Sequence, residues 1–305
     1  MITNTEQAEV DIFVTTYNHP LWINGCLESL VNQEFRHPFN IYIFDDKSTK
    51  KQVIHAGYRP GNSGTNSGNI KTLASKNSSR LKFDSHYVEK TEAPRQVLWR
   101  LRDQGFDVEI SRNNIGVSAA RNTIAKKGKA PLILFVDGDD RLDPMFLEKA
   151  WRRMKIAKVD IVYPKMAIFV DGPGLAEHGS VSQCQFDRLT LMRANYIPVT
   201  SLMKREVFNA LGGFDEGMKS GFEDWEFWIR GALAEYKFWF EPESILFYRQ
   251  HEDARSHQAN LNAASIVDYI KTKHKEAFDR SFRPKVEWIS NGIAEASATE
   301  SIQAD

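Results

Sequence analysis

Residues 132–140 read LILFVDGDD: five apolar residues, then Asp137, Gly138, Asp139 and Asp140. A short apolar run without alternation is the pattern of a strand covered on both faces, as in parallel sheets flanked by helices. It ends in three carboxylates within four residues, which repel one another unless a cation or a basic side chain compensates. Mg²⁺ and Mn²⁺ prefer oxygen ligands and share them with phosphates, so the cluster reads as a site for a metal-held diphosphate. A turn and helix cap is the plainer reading. Asp143 already fills that role, with Pro144 as the first residue of a helix running to about residue 158. A phosphatase pattern, in which a nucleophilic aspartate and a second acid stand two residues apart, fits Asp137 and Asp139 by spacing. It fails on Arg141 and on position, because this is the fourth strand and not the first.

The same grammar recurs upstream. Residues 10–15 (VDIFVT) form an apolar, β-rich run that ends in the polar turn Thr16-Tyr17-Asn18-His19-Pro20. Helical spacing follows over residues 21–35, with Ile23, Leu27, Leu30 and Val31 on one face. Residues 40–44 (NIYIF) are a second buried strand, ending at Asp45-Asp46-Lys47-Ser48. A weaker strand at 107–110 leads through a turn at 112–116 into an alanine-rich helix over 117–127. Strands alternating with helices predict an α/β fold with a mainly parallel central sheet, and ligands of such sheets sit at the carboxyl ends of the strands. The polar residues fall there. Residues 47–105, with the tract GNSGTNSGN at 61–69, read as an insertion on the sheet's edge. The expected organisation is one domain over 1–277 and a tail over 278–305, in which Phe282, Val286, Trp288 and Ile289 stand among charges.

Composition narrows the function. Forty basic residues balance forty acidic ones in 305 residues, without a long basic block, so nucleic acid is not an expected partner. Cys26 and Cys184 lack metal-ligand spacing, which argues against a disulfide scaffold and for a reducing, cytoplasmic setting. The start MITNTEQAEVDIFVTTYN does not read as a signal peptide, and no stretch approaches a membrane span. Peripheral attachment at the inner membrane face stays open, as does the oligomeric state.

Five motifs occur in one order: Thr15-Thr16-Tyr17-Asn18; Asp45-Asp46-Lys47-Ser48; Asn114-Ile115-Gly116 with Ala120-Arg121-Asn122; Phe135-Val136-Asp137-Gly138-Asp139-Asp140; and Gly221-Phe222-Glu223-Asp224-Trp225. This order resembles family 2 of the inverting glycosyltransferases, which have the GT-A fold, a Rossmann-like nucleotide-binding half beside an acceptor-binding half. The resemblance covers roughly residues 10–255 apart from the insertion. It implies that Thr15, Tyr17 and Asn18 hold the nucleotide base, with Asp46 as a further base contact. Asn114, Gly116 and Arg121 then line the donor site. Asp137 stands near ribose or metal, Asp139 on the metal, and Asp140 beside sugar and diphosphate. Asp224 is the implied base and Glu223 its neighbour that orients it or binds sugar hydroxyls. His251, after the apolar run 245–247, is the implied third metal ligand, the ion being Mn²⁺ or Mg²⁺. Arg249 or Arg255 is the cation set to neutralise the leaving diphosphate.

The aromatics of that last motif divide: Phe227 and Trp228 read as core, while Trp225, beside the acids, is expected against an acceptor sugar. Residues 198–203 resemble the strand that borders the acceptor site. The implied reaction is inverting transfer from a nucleotide-sugar donor, UDP first, to a hydroxyl of a glycan or lipid-linked glycan, as in the synthesis of cell-surface polysaccharide. A sugar nucleotidyltransferase would need a glycine-rich basic loop after the first strand, which residues 15–20 lack. A silent sugar-nucleotide or glycan-binding protein of the same fold is the rival from another class, disfavoured by the presence of Asp139 and Asp224.

Overall fold

The structure, a computed structural model, describes residues 7–20, 22–49, 93–170, 177–181, 183–251, 259 and 261–278. The first half runs β1 (Val10–Thr16), α1 (Ile23–Val31), β2 (Phe39–Asp45), α2 (Pro94–Asp103), β3 (Asp107–Ile110), α3 (Val117–Ala125) and β4 (Leu132–Asp137). Here β3, β2, β1 and β4 are neighbours and all parallel. Successive side chains of a strand point to opposite faces. Accordingly Ile133 and Phe135 of β4 enter one apolar cluster, while Leu134 and Val136 enter the other. Helices cover both faces, which is why β4 is apolar up to Asp137 and the middles of β1 and β2 are apolar, while the edge strand β3 alternates.

Beyond β4 the sheet becomes mixed. After β5 (Arg141–Leu142) and α4 (Phe146–Ala157) come β6 (Ile161–Val170), β7 (Glu177–Ser180), α5 (Arg188–Arg193), β8 (Leu202–Lys204), α6 (Arg205–Ala210), α7 (Glu223–Leu233) and β9 (Phe238–Gln250). The sheet order is β3-β2-β1-β4-β8-β6-β9-β5, with β7 beside β6. Strand β8 is antiparallel to both β4 and β6, and β6 pairs with β9 in parallel. A last helix, α8 (Ala263–Lys273), ends in the 3₁₀ turn Lys275–Ala277. No helix among the described residues is long and apolar enough to cross a membrane.

Three expectations need correction. The stretch 47–105 is not all insertion: α2 lies within it and buries Val97, Leu98 and Leu101, so it is the ordinary helix crossing from β2 to β3. The glycine-rich tract itself lies outside the described residues. Asp143 does not cap α4 directly, because Met145 is the cap residue; Asp143, two residues earlier, instead accepts the Met145 N–H through Oδ1 at 2.8 Å. Of the stretch 198–203, only Leu202 and Met203 are strand. The tail from residue 279 also lies outside the described residues.

Candidate functional site

The parallel registers set Thr15 opposite Asp137 and Thr16 opposite Asp45, so three strand ends open on one rim. Gly138 makes the rim narrow. Its N–H donates to the Thr15 carbonyl at 2.9 Å, and a Cβ at this position would lie 3.0 Å from Thr16 Cβ. The close approach of two turns is therefore the reason a glycine divides the aspartates.

The three carboxylates have separate partners. Asp137 Oδ1 accepts from Arg121 Nη2 at 2.6 Å and from the Thr15 hydroxyl at 3.2 Å. Asp140 is buried, and its Oδ1 accepts the Arg249 N–H at 2.9 Å. Burial, added to the charges of Asp139 and Asp137, pushes the Asp140 carboxyl well above the usual range. Asp139 faces the other way. Its Oδ2 lies 3.2 Å from His251 Nε2. Burial alone would raise its pKa, but the hydrogen bond with His251 and the proximity of His19 and His251 bring it below the usual value.

His251 reaches this place because β5 turns back along β9: Arg141 and Leu142 pair with Phe247 and Leu246. The end of β9 then runs beside the acidic cluster, and Arg249 Nε donates to the Asp139 carbonyl at 2.8 Å. Arg249 is buried against the rings of Trp22 and Phe169. His19, at the end of the β1 turn, completes a group with Asp139 and His251 whose ligand atoms all lie within 4.8 Å of one another. These three are the residues that fit a divalent cation. Asp137 stands outside the group. His251 Nδ1 is buried and has no hydrogen-bond partner among the described residues, which suits a ring nitrogen of a coordinating imidazole. Arg255 lies outside the described residues.

The turns after β1 and β2 are stitched together. Asn18, at φ 60°, donates its N–H to Ser48 Oγ at 2.7 Å and accepts the Thr49 N–H through Oδ1 at 2.8 Å. The Ser48 side chain donates in turn to Asp45. Asp46 is buried, and its carboxylate accepts the N–H groups of Ile115 and Gly116 at 2.7 and 2.9 Å, while Asn114 Nδ2 donates to its carbonyl at 3.2 Å. Asp46 thus fixes the loop that opens α3, and Gly116 at φ 86° gives that loop its bend. Tyr17 and Ile115, in the two turns that Asn18 and Asp46 tie down, are exposed.

Arg121 joins the two halves of the site. Only 2% of its side chain is exposed, and its two terminal nitrogens reach Asp137 at 2.6 Å and Glu223 Oε1 at 2.7 Å. Burial pulls the guanidinium pKa down, but the two carboxylates more than offset it, and the side chain is held charged. The next residue, Asn122, holds the Phe214 backbone through both of its amide atoms. The Ala-Arg-Asn segment of α3 thereby fixes the chain that leads into α7.

Gly221 at φ 114° and Phe222 at φ 58° make a left-handed turn before α7, leaving Glu223 and Asp224 in its first turn, where the helix dipole favours acids. Asp224 is half-buried and accepts the Asn195 Nδ2–H at 3.0 Å and the Trp225 N–H at 2.8 Å. Burial, and next the charge of Glu223, push its pKa up to about 7, with Arg121 pulling the other way. Trp225 is corrected to a core residue: it is buried, and its indole N–H donates to the Leu191 carbonyl at 2.6 Å. Phe227 and Trp228 are core as expected. His19 and Asn195 went unread in the sequence. His19 stood in the quoted turn with no partner to point at, and Asn195 lies 29 residues before Asp224 with no spacing signal.

Residues 89–214 match the sequence model described as Glycosyl transferase family 2. An N-acetylglucosaminyltransferase of Rhizobium sp. (strain N33) is 22% identical over 147 residues, 48% of this chain and 24% of that protein. The chain thus spans about a quarter of the length of that curated relative. Among solved structures, S. aureus TarS in complex with UDP-GlcNAc is similar with a TM-score of 0.57 at 16% identity, over 95% of this chain and 71% of that one. A longer S. aureus TarS chain, 18% identical with a TM-score of 0.52, is covered to 44% by 90% of this chain. The mannosyltransferase PcManGT from Pyrobaculum calidifontis, in complex with GDP-Man and Mn²⁺, gives 0.54 at 14% identity, over 98% of this chain and 76% of that one. These structural likenesses are likenesses of fold.

Proposed function

We propose, from the premise that the chain belongs to family 2 of the glycosyltransferases, that it transfers a sugar with inversion from a nucleotide-diphosphate donor to an acceptor hydroxyl. The observation that carries this reading is the Arg121 bridge, which binds Asp137 of the acidic cluster and Glu223 beside Asp224 with one buried guanidinium. A donor-binding rim and a carboxylate able to take a proton are thereby held in one site.

In the transfer, the acceptor oxygen attacks the anomeric carbon as the bond to the diphosphate breaks, and Asp224 takes the hydroxyl proton. A carboxyl pKa near 7 suits that exchange, because a base works best when its pKa lies near the working pH. Asn195 and the Trp225 N–H orient the carboxylate, and Glu223 is aligned by Arg121. The exposed Tyr17 offers a ring for the nucleobase, with Asn18, Thr15 and the Asp46-held loop of Asn114 and Gly116 around it. A divalent cation, Mn²⁺ or Mg²⁺, held by Asp139 and His251, would supply positive charge against the leaving diphosphate. UDP is the first nucleotide to try because TarS binds UDP-GlcNAc, and GDP the second because PcManGT binds GDP-Man. The acceptor class is a glycan or lipid-linked glycan.

A screen of thermal shift and slow donor hydrolysis across UDP-, GDP- and dTDP-sugars tests the reading. One nucleotide should raise the melting temperature in the presence of Mn²⁺ or Mg²⁺, and no shift with any of the three would reject donor binding. Asp224→Asn should keep donor binding and lower transfer by about 10²–10⁴-fold. Asp139→Ala should weaken donor binding chiefly when the ion is present, and equal weakening in chelator would count against metal ligation.

A further inference from the structure

The three donors that meet beside the acidic cluster come from three separate strand ends: His19 after β1, Asp139 after β4 and His251 after β9. Two of the three are imidazoles. Of the neighbouring carboxylates, Asp137 Oδ1 is shared by Arg121 and Thr15, and Asp140 Oδ1 takes the Arg249 N–H; among the described residues Asp139 is the carboxylate grouped with the two rings. The rings are backed by one indole. Trp22 stacks on His19 at 4.9 Å between centroids and lies 4.4 Å from His251, while the two imidazoles meet edge to face at 4.9 Å. An apolar wall that fixes ligand orientation is a usual part of a metal centre.

We propose that His19 is a metal ligand, so that the ion is held by two imidazoles and one carboxylate and not by a carboxylate pair. This deepens the reading of the site as a metal and nucleotide-sugar site, and rests on it. Two consequences follow from the donor set. Imidazole favours transition ions, whereas Mg²⁺ favours oxygen alone, so the chain should prefer Mn²⁺ and Co²⁺ to Mg²⁺. His19 also follows Tyr17 and Asn18 directly, and Asn18 is tied to Ser48 and Thr49. Ion and nucleoside therefore bear on the same turn, and each should tighten the binding of the other.

The test uses the full chain stripped of metal with chelator, and reads ion binding and not turnover. Free Mn²⁺ is followed by electron paramagnetic resonance during titration, with and without UDP and then GDP, and nitrogen couplings of the bound ion are recorded by electron spin-echo modulation. Wild type should bind one Mn²⁺ at least tenfold more tightly than Mg²⁺, with couplings from two imidazoles. His19→Ala and the bulkier His19→Gln should each lose one coupling and at least tenfold in Mn²⁺ affinity. Two couplings retained in both variants, or a single coupling in wild type, would overturn the role of His19 while leaving the metal–nucleotide reading in place. The wild-type spectrum decides this even if neither variant folds. Failure of wild type to bind Mn²⁺, UDP or GDP in any combination would overturn both.

Discussion

At Asp224 burial and the adjacent Glu223 hold the carboxyl at about 7, against the pull of Arg121 and of the hydrogen bonds from the Trp225 N–H and Asn195. If Asp224 is the base, only its ionised form works. The kcat/KM of transfer should then fall about tenfold per unit as pH drops below 7 and level off above it. Asn195→Ala removes a hydrogen bond that favours the charged form, so that acid limb should move to higher pH; an unmoved limb in the pH–rate profile would separate Asn195 from the base. Stability should run the other way. A carboxyl whose folded pKa is raised contributes stability fully present below its unfolded value, near 4, and lost as pH rises through 7. Asp224→Asn should therefore melt above wild type at pH 8 while losing transfer, and a melting point below wild type there would contradict the burial of an ionised group. The pair Glu223-Asp224 was legible in the sequence because neighbouring acids opening an aromatic helix stand out. Asn195 was not, since only tertiary structure brings it near.

At the scale of elements, the turn before α7 sets where those acids point. Gly221 combines φ 114° with a neighbour, Ala259, whose Cβ would lie 2.5 Å from a new Cβ. Gly221→Ala meets both a backbone penalty and a collision, and should cost about 1–3 kcal/mol, read as a lowered urea midpoint with unchanged slope. A cost below about 0.5 kcal/mol would mean that the turn relaxes without strain. The elements differ in how well the sequence announced them. β1, β2 and β4 are apolar on both faces, so short unbroken runs gave them away. Helix α2 was hidden behind a long polar tract, and its mean composition is hydrophilic because a single stripe of Val97, Leu98 and Leu101 does the packing. β5 is two residues long and exists only through pairing with β9, so no local pattern encodes it. That pairing carries His251 to Asp139, and a histidine at the end of one strand could be matched to an aspartate 112 residues earlier only through the family resemblance.

Across the whole molecule, α7 is held at its other flank by a second ionic knot. Glu226 has no exposed side-chain surface, and it accepts from Arg230 at 2.8 Å, Lys273 at 2.8 Å and His274 at 2.9 Å. Lys273 also reaches Asp215 at 2.6 Å, which accepts from the Tyr269 hydroxyl at 2.8 Å. Helix α8 is thus bound to the helix whose first turn carries Asp224, two residues from Glu226 and so on the opposite side. The same α7 is fixed at its start by Arg121 and along its length by the buried Phe227, Trp228 and Ile229. Burial pushes the Glu226 carboxyl up, but the hydrogen bonds from His274 and Arg230 outweigh it and hold the pKa at about 2. The stability gained is present above the ordinary glutamate value and is lost as pH falls through 2. Glu226→Gln removes the anion and leaves cations facing one another, which should cost about 3–5 kcal/mol at pH 7. The difference from wild type should shrink as both are taken to pH 3 and below, because under the ordinary glutamate value the unfolded wild type takes up a proton that folded Glu226 binds only near 2. Urea midpoints at pH 7 and pH 3 measure this, and a gap that stays constant between the two pH values would show that Glu226 acts through packing and not through its charge.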